Sequence, residues 1–136
     1  MNMTTVSVDD ILEKIESVLM PVKAVDYAFL FGSALHRLLP QSDIDILIGG
    51  DLDFDRRLLL TAELSIKLKR TVDVVLTSEA RCELVLKAMS QGKQIFVRKS
   101  EILKEDYIKN VRKLDDNTKL RRIRQDRIRQ QYGHGR

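Results

Sequence analysis

The chain has 136 residues, of which 43% are hydrophobic and 32% are charged, with one cysteine, Cys82. This length is typical of one domain with its own core, and the composition excludes a disordered chain. A single cysteine excludes an internal disulfide and a cysteine-rich zinc site. No apolar run is long enough to span a membrane and no secretory leader is recognisable, so we expect a cytoplasmic protein without a membrane partner.

The charge is distributed unevenly along the chain, which has 24 Lys and Arg, 20 Asp and Glu, and a net charge of +4. Residues 99–136 hold 12 basic and 6 acidic residues, whereas residues 1–98 hold 12 basic and 14 acidic ones. We therefore divide the chain into a body, residues 1–98, and a basic helical extension, residues 99–136. A solvated helix face or a docking surface for an acidic partner is favoured there over nucleic-acid binding, because the extension has few aromatic residues.

Hydrophobic periodicity predicts helices and strands in alternation through the first half of the body. Ser7 is expected to cap a helix that carries apolar residues at helical spacing and stops at Pro21. A buried strand, residues 24–31, a short helix, residues 34–39, and a second strand, residues 43–48, follow.

The second half of the body continues the alternation. Thr77 or Ser78 is expected to cap a helix that ends at Gly92 in the left-handed conformation. This order of elements predicts an α/β (α+β) fold, a mixed sheet with helices packed against it and a charged C-terminal helix. The predicted ranges are helix 56–69, strand 71–76, a helix after residue 78, strand 94–97 and a helix from residue 100 that frays at 133–135.

Three aspartates occupy positions where strands rarely carry them. Asp43 and Asp45 alternate along the second strand, so both carboxylates share one face, about 7 Å apart by Cα. Asp73 stands among valines of the third strand and joins them if the two strands pair. Nothing basic lies on those strands, and each like-charge pair costs about 4 kcal/mol at 4 Å and an effective dielectric near 20. Hard oxygen ligands with this repulsion favour a Mg²⁺ or Mn²⁺ site.

Gly32 and Ser33 follow the first strand directly. A glycine there lets the backbone approach a phosphate closely, the following turn offers free amides, and Ser33 adds a hydroxyl donor. A phosphate cradle beside carboxylates that bind metal is typical of enzymes that transfer a phosphorus group from a nucleotide.

The stretch FGSALHRLLPQSDIDIL, residues 31–47, resembles the signature of the nucleotidyltransferase (DNA polymerase beta-like) superfamily, in which Gly-Ser, a spacer and Asp-x-Asp follow one another. The short chain and the third strand resemble its minimal nucleotidyltransferase (MNT) branch. The resemblance implies that Asp43, Asp45 and Asp73 are catalytic and bind the metals, with Asp73 completing the site or acting as base.

The same resemblance implies that Gly32 and Ser33 bind the nucleotide phosphates. Two features depart from the family pattern: the spacer has nine residues where ten is commoner, and Arg37 stands where many members have glycine. Arg37 either reaches the triphosphate, as a further nucleotide-binding residue, or narrows the pocket and weakens catalysis.

By resemblance, the chain is expected to be a Mg²⁺-dependent nucleotidyltransferase that transfers AMP from ATP to a hydroxyl. MNT antitoxins work beside a small helical HEPN-domain ribonuclease toxin and transfer AMP to a toxin tyrosine, and the resemblance implies such a partner here. Two alternatives stay open. One is a non-catalytic antitoxin that neutralises its toxin by binding alone. The other is a small-molecule or RNA-end nucleotidyltransferase, working as a homodimer.

Several of these residues also have simpler interpretations. Asp43 and Asp45 would also suit an exposed edge strand that resists aggregation, although Asp73 then has no explanation. His36 is expected to be an exposed helix residue, and Cys82 a small helix residue without an acid–base partner.

Overall fold

A four-stranded mixed sheet organises the computed structural model, which describes residues 7–132. Helices cover both faces of the sheet, and the predicted α/β fold is confirmed. The elements in chain order are α1 (Val8–Leu19), β1 (Val25–Phe31), a 3₁₀ turn (Ser33–Leu35), β2 (Ile44–Gly50), α2 (Phe54–Leu68), β3 (Val72–Leu76), α3 (Cys82–Gln91), β4 (Lys93–Val97) and α4 (Ser100–Tyr132).

The strand order is β3-β2-β1-β4, with β2 and β1 in the centre. β1 pairs antiparallel with both β2 and β4, whereas β2 and β3 pair in parallel. The parallel pair requires a crossover, which α2 supplies between the two strands. β3 therefore lies at an edge of the sheet, next to the strand that carries Asp45.

The two faces of the sheet build separate apolar layers. Ile44, Ile46 and Ile48 of β2 point into the layer that α1 and α2 cover, and Leu47 points into the opposite layer beneath α3 and α4. The predicted alternation along this strand is confirmed. Leu60, Leu64 and Leu68, at four-residue spacing along α2, are all buried in this layer.

The predicted start of α1 is also confirmed. The Ser7 hydroxyl accepts a hydrogen bond from the Asp10 amide, and the Asp10 carboxylate accepts one from the Ser7 amide. This reciprocal pair satisfies two amides at the helix N-terminus that have no partner within the helix.

Two predictions about the ends of α3 were wrong. Its N-cap residue is Arg81 rather than Thr77 or Ser78. Thr77 is instead buried at the end of β3, where its Oγ1 lies 2.8 Å from the Tyr27 hydroxyl oxygen. Gly92 has an extended backbone, φ −77°, instead of the left-handed conformation. Close packing explains this glycine, because a Cβ there would lie 2.6 Å from the Leu30 carbonyl oxygen.

Other boundaries differ from the prediction by one or two residues at most ends. The short helix predicted for residues 34–39 is only the single 3₁₀ turn, followed by irregular backbone. Gly49 and Gly50 belong to β2 rather than to a turn after it. The predicted fraying at residues 133–135 falls outside the described residues.

α4 has two parts with different surroundings. Its first half packs on the sheet and α3, where Asn110 is buried and the Asp106 carboxylate accepts a hydrogen bond from Tyr27 at 2.7 Å. From Lys119 to Gln130 every side chain is exposed. None of the helices within residues 7–132 is both long and apolar enough to cross a bilayer.

Candidate active site

Parallel pairing of β2 and β3 brings two of the predicted site residues side by side. Asp45 and Asp73 are partners in the register. Neighbouring strands lie about 4.8 Å apart, so side chains at paired positions are immediate neighbours on one face. Asp45 is half-buried and Asp73 is exposed. The expectation that Asp73 stands in an apolar environment was wrong, because β3 is an edge strand and this carboxylate lies in solvent.

Asp43 precedes the first residue of β2 and is exposed. Partial burial, followed by the negative charges of Asp73 and then Asp43, raises the pKa of the Asp45 carboxyl above its ordinary value. In the described residues, no Lys or Arg forms an ion pair with any of these three aspartates. The structure therefore gathers negative charge here without a protein cation to balance it.

Gly32 brings the backbone against the Asp45 carboxylate. Its φ of +89° lies in the region that side-chain-bearing residues rarely adopt, and a Cβ built on it would lie 2.3 Å from Asp45 Oδ2. Only glycine meets both conditions at this position. The turn after β1 and the start of β2 are thus packed together, and Ser33 directly follows the glycine that lies against Asp45.

The residues present suit a divalent cation of the Mg²⁺ type. Mg²⁺ is commonly held by one or two carboxylates plus substrate phosphates, and it keeps several waters. Three unneutralised carboxylates with a raised pKa at Asp45 agree with that chemistry. No three His, Cys, Asp or Glu side chains within residues 7–132 form a ready-made cage for a metal ion.

A cavity of about 330 Å³ opens beside Gly32 and Ser33, between the 3₁₀ turn and α3. Apolar side chains form part of its wall, and His36, Lys87 and Gln91 supply polar groups. The larger cavity of the molecule, about 530 Å³, is an apolar groove between α3 and α4 that none of the three aspartates lines. The three aspartates do not line the smaller cavity either, but Gly32 and Ser33 do, and Gly32 lies against the Asp45 carboxylate.

Arg37 is exposed and is not among the residues that line the cavity beside Ser33. Its carbonyl oxygen accepts a long hydrogen bond from the Ser42 hydroxyl, 3.4 Å. The Arg70 guanidinium donates to the carbonyls of Leu39 and Ser42, which ties the loop before Asp43 to the end of α2. A role of Arg37 at the triphosphate stays a prediction.

Sequence reasoning missed Lys87 and Gln91, and it left His36 without a function. His36 is exposed, as predicted, and follows the 3₁₀ turn, three residues after Ser33. Lys87 and Gln91 lie on the α3 turns that face the end of β1. Their four-residue spacing beside the buried Ala88 could have indicated this face, but only the packing of α3 shows what it borders.

Comparison with known proteins identifies a family that the chain matches. Residues 13–101, which include all three aspartates and the Gly32-Ser33 pair, match the family described as Polymerase beta, Nucleotidyltransferase. No curated protein sequence matches the chain closely enough to count as a relative.

Solved structures of toxin–antitoxin complexes contain similar chains. One, described as a toxin–antitoxin with AMP-PNP, is 25% identical with a TM-score of 0.71, covering 86% of this chain and 97% of that one. Another, a tri-AMPylated Shewanella oneidensis HEPN toxin in complex with MNT antitoxin, is 25% identical with a TM-score of 0.68, covering 87% and 95%. A third, the toxin–antitoxin MntA-HepT, is 24% identical with a TM-score of 0.67, covering 87% and 96%, and bears on the fold alone.

The family match spans well over half of the chain and contains the whole carboxylate cluster. The chain therefore belongs to the polymerase beta nucleotidyltransferase family, and it is similar in fold to the MNT antitoxins.

Proposed function

We propose that this protein is an antitoxin that transfers AMP from ATP to a tyrosine hydroxyl of a small HEPN-type toxin. The single observation that carries the proposal is the unneutralised pair of Asp45 and Asp73 in parallel register beside Gly32 and Ser33. This layout suits the handling of a metal-bound triphosphate. The similarity to MNT antitoxins, one of them in complex with an AMPylated toxin, supports the acceptor.

In this proposal, Asp43, Asp45 and Asp73 hold the divalent cation. The ion would supply Lewis-acid polarisation and charge neutralisation at the phosphates. Ser33 donates a hydrogen bond to the phosphates, and the close approach of Gly32 keeps the backbone near them. Asp73, exposed at the sheet edge, is open to an incoming acceptor and takes the proton of its hydroxyl.

The bonding changes in the reaction balance. The acceptor oxygen forms a bond to the α-phosphorus while the bond from that phosphorus to the β-phosphate bridging oxygen breaks. Pyrophosphate leaves, and the acceptor proton passes to Asp73 or to water. Positioning and charge neutralisation supply most of the acceleration in such transfers.

A protein acceptor agrees with the surface of α4. α4 exposes Tyr107, Ile108 and Val111 near the apolar groove, and its second half carries Arg121, Arg122 and Arg124 in solvent. Apolar anchors with basic surroundings suit a protein surface that carries negative charge. We assign partner docking to the extension, residues 99–136.

Incubation with α-³²P-ATP and Mg²⁺ in a lysate of the source cell tests the proposal. The wild-type chain is compared with the Asp43→Ala/Asp45→Ala variant, with folding checked by circular dichroism. Label in one small protein band, only with the wild type, is the expected result, and phosphoamino-acid analysis would then locate AMP on tyrosine. Label in RNA or a small molecule would instead support the alternative enzyme, and no label would support a binding-only antitoxin.

A further inference from the structure

The cavity between the 3₁₀ turn and α3 continues directly from the carboxylate site. It shares Gly32 and Ser33 with that site, and Gly32 lies against the Asp45 carboxylate. A ligand that occupies the carboxylate site through its phosphates therefore has this cavity as its neighbouring space. At about 330 Å³ the cavity is large enough for part of a nucleotide rather than for a water molecule alone.

The charge of this cavity is opposite to that of the carboxylate site. Lys87 lines it, and no Asp or Glu does. Within residues 7–132, no carboxylate lies within 4.0 Å of the Lys87 ammonium, so its charge has no partner in the protein. A free ammonium beside a hydroxyl donor attracts an anion, whereas the carboxylates nearby repel one unless a divalent cation is present.

Arg37, which was expected either to reach the triphosphate or to narrow the pocket, does not line this cavity. Lys87, from α3, does line it and supplies a cationic side chain there. The backbone of Lys87 is held in place, because Val85 and Ala88 of the same helix are buried against the sheet. Lysine binds phosphate as a point charge through its three donors, and it needs no fixed fork geometry to do so.

We propose that Lys87 binds the β- and γ-phosphates of the donor nucleoside triphosphate, in the cavity between the 3₁₀ turn and α3. This inference rests on the proposed function, because it assumes that the carboxylate site receives a metal-bound triphosphate. It assigns the polyphosphate tail to the α3 side of Ser33 and leaves the nucleoside on the solvent side of the carboxylates. Lys87 also stabilises the charge of the departing pyrophosphate.

Binding to a series of nucleotides tests this assignment without any acceptor. Calorimetric titration of the purified chain with Mg²⁺ and AMP-PNP, ADP or AMP is carried out for the wild type, Lys87→Ala and Lys87→Arg. Lys67→Ala is the matched control, because Lys67 is an exposed lysine on α2, against the other face of the sheet. Lys87 is exposed as well, so thermal unfolding of all variants is expected to match the wild type.

We expect Lys87→Ala to weaken AMP-PNP binding about tenfold or more, as loss of a charge-assisted contact does. The loss is expected to be smaller with ADP and absent with AMP. Lys87→Arg should recover most of the affinity, and Lys67→Ala should behave like the wild type. An equal loss with AMP would overturn the assignment, because Lys87 would then contact the nucleoside. Unchanged AMP-PNP binding in Lys87→Ala would overturn it too.

The outcomes separate this inference from the proposed function. If the wild type binds AMP-PNP through Lys87 but never labels a protein with AMP, the proposed function fails and the phosphate assignment stands. If AMP transfer proceeds and Lys87→Ala binds AMP-PNP normally, the assignment fails and the function stands. A wild type that binds no Mg²⁺-nucleotide at all would overturn both.

Discussion

Carboxylates lie at both ends of one face of the sheet, but their surroundings differ: those at one end have no partner group in the described residues, and the one at the other end is hydrogen-bonded. At one end Asp45 and Asp73 lie side by side without a protein cation. At the other end Asp106 of α4 accepts a hydrogen bond from the Tyr27 hydroxyl at 2.7 Å, and Tyr27 also contacts Thr77. A satisfied carboxylate stabilises the fold, whereas unsatisfied ones leave charge available for a ligand.

The difference also extends to the two glycines that sit beneath these groups. Gly49 is the cross-strand partner of Tyr27, and a Cβ there would lie 2.0 Å from the ring. Gly32 makes the corresponding close approach to Asp45. At the Tyr27 end, the tyrosine ring itself fills the space over Gly49. Burial raises the pKa of the Tyr27 hydroxyl well above its usual range. At the Asp45 end the carboxylate stays accessible.

The largest expected effect comes from neutralising the central carboxylate. Asp45→Asn removes a metal ligand in the proposed site, so AMP transfer should fall more than about 100-fold, which corresponds to about 3 kcal/mol of lost transition-state stabilisation. Initial rates with purified toxin measure this. Asp51→Asn, an exposed aspartate at the opposite end of the sheet, is the control. Normal transfer by Asp45→Asn would refute the assignment of the site.

Gly32→Ala should damage both stability and transfer. The alanine backbone would have to adopt φ +89°, and its methyl group would lie against Asp45 Oδ2. We therefore expect a loss of about 1–3 kcal/mol of unfolding free energy. Urea denaturation measures the loss, and nucleotide titration should reveal weaker binding. A fully stable, fully active Gly32→Ala would mean that the turn can move away from Asp45.

Tyr27→Phe should lower stability by removing the hydrogen bonds at the Tyr27 end of the sheet face, without affecting the carboxylate site. Removing the hydroxyl leaves the Asp106 carboxylate and Thr77 short of a partner, at a cost of about 1–3 kcal/mol. Urea denaturation measures the cost, while AMP transfer per folded molecule should stay unchanged. Tyr107→Phe, which alters an exposed tyrosine on α4, should have no effect on stability. Loss of transfer in folded Tyr27→Phe would show that the two ends are coupled.

The smallest expected effect is the stability gain of Asp45→Asn. The pKa of Asp45 is raised in the folded state, so its ionised form costs stability at neutral pH, by up to about 1 kcal/mol for partly exposed charges. The variant should unfold at a higher temperature at neutral pH. This advantage should shrink as the pH falls and vanish below the ordinary Asp value of 3.8. A constant difference across this range would exclude charge repulsion as its cause.

Most of the fold could be predicted because its signals are local. Alternation in β2 and the four-residue steps of α2 state directly which side chains are buried. The pairing of β2 with β3, which brings Asp45 to Asp73, could be assumed but not predicted from the sequence, because strand order depends on contacts between distant residues. The cap of α3 failed for the same reason: Thr77 suits a cap, but the distant Tyr27 hydroxyl holds it at the end of β3.

The candidate site residues differ in how far the sequence alone could indicate them. Asp43, Asp45, Gly32 and Ser33 form one continuous sequence pattern, so a single stretch of chain reveals them. Lys87 comes from α3, more than fifty residues after Ser33, and nothing in its local sequence indicates that it borders the same cavity. A charge on a helix surface becomes informative only when the packing of that helix is known.

The exposed second half of α4 should make the free protein sensitive to local unfolding and proteolysis. Helical segments without tertiary contacts are only marginally stable in water, so the backbone amides of residues 120–130 should exchange with deuterium far faster than those near Asn110. The same stretch is rich in Lys and Arg, which are cleavage points for trypsin-like proteases. If the proposed docking of a partner protein buries these bonds, the partner would protect the chain from proteolysis, and the lifetime of the chain would depend on the supply of that partner.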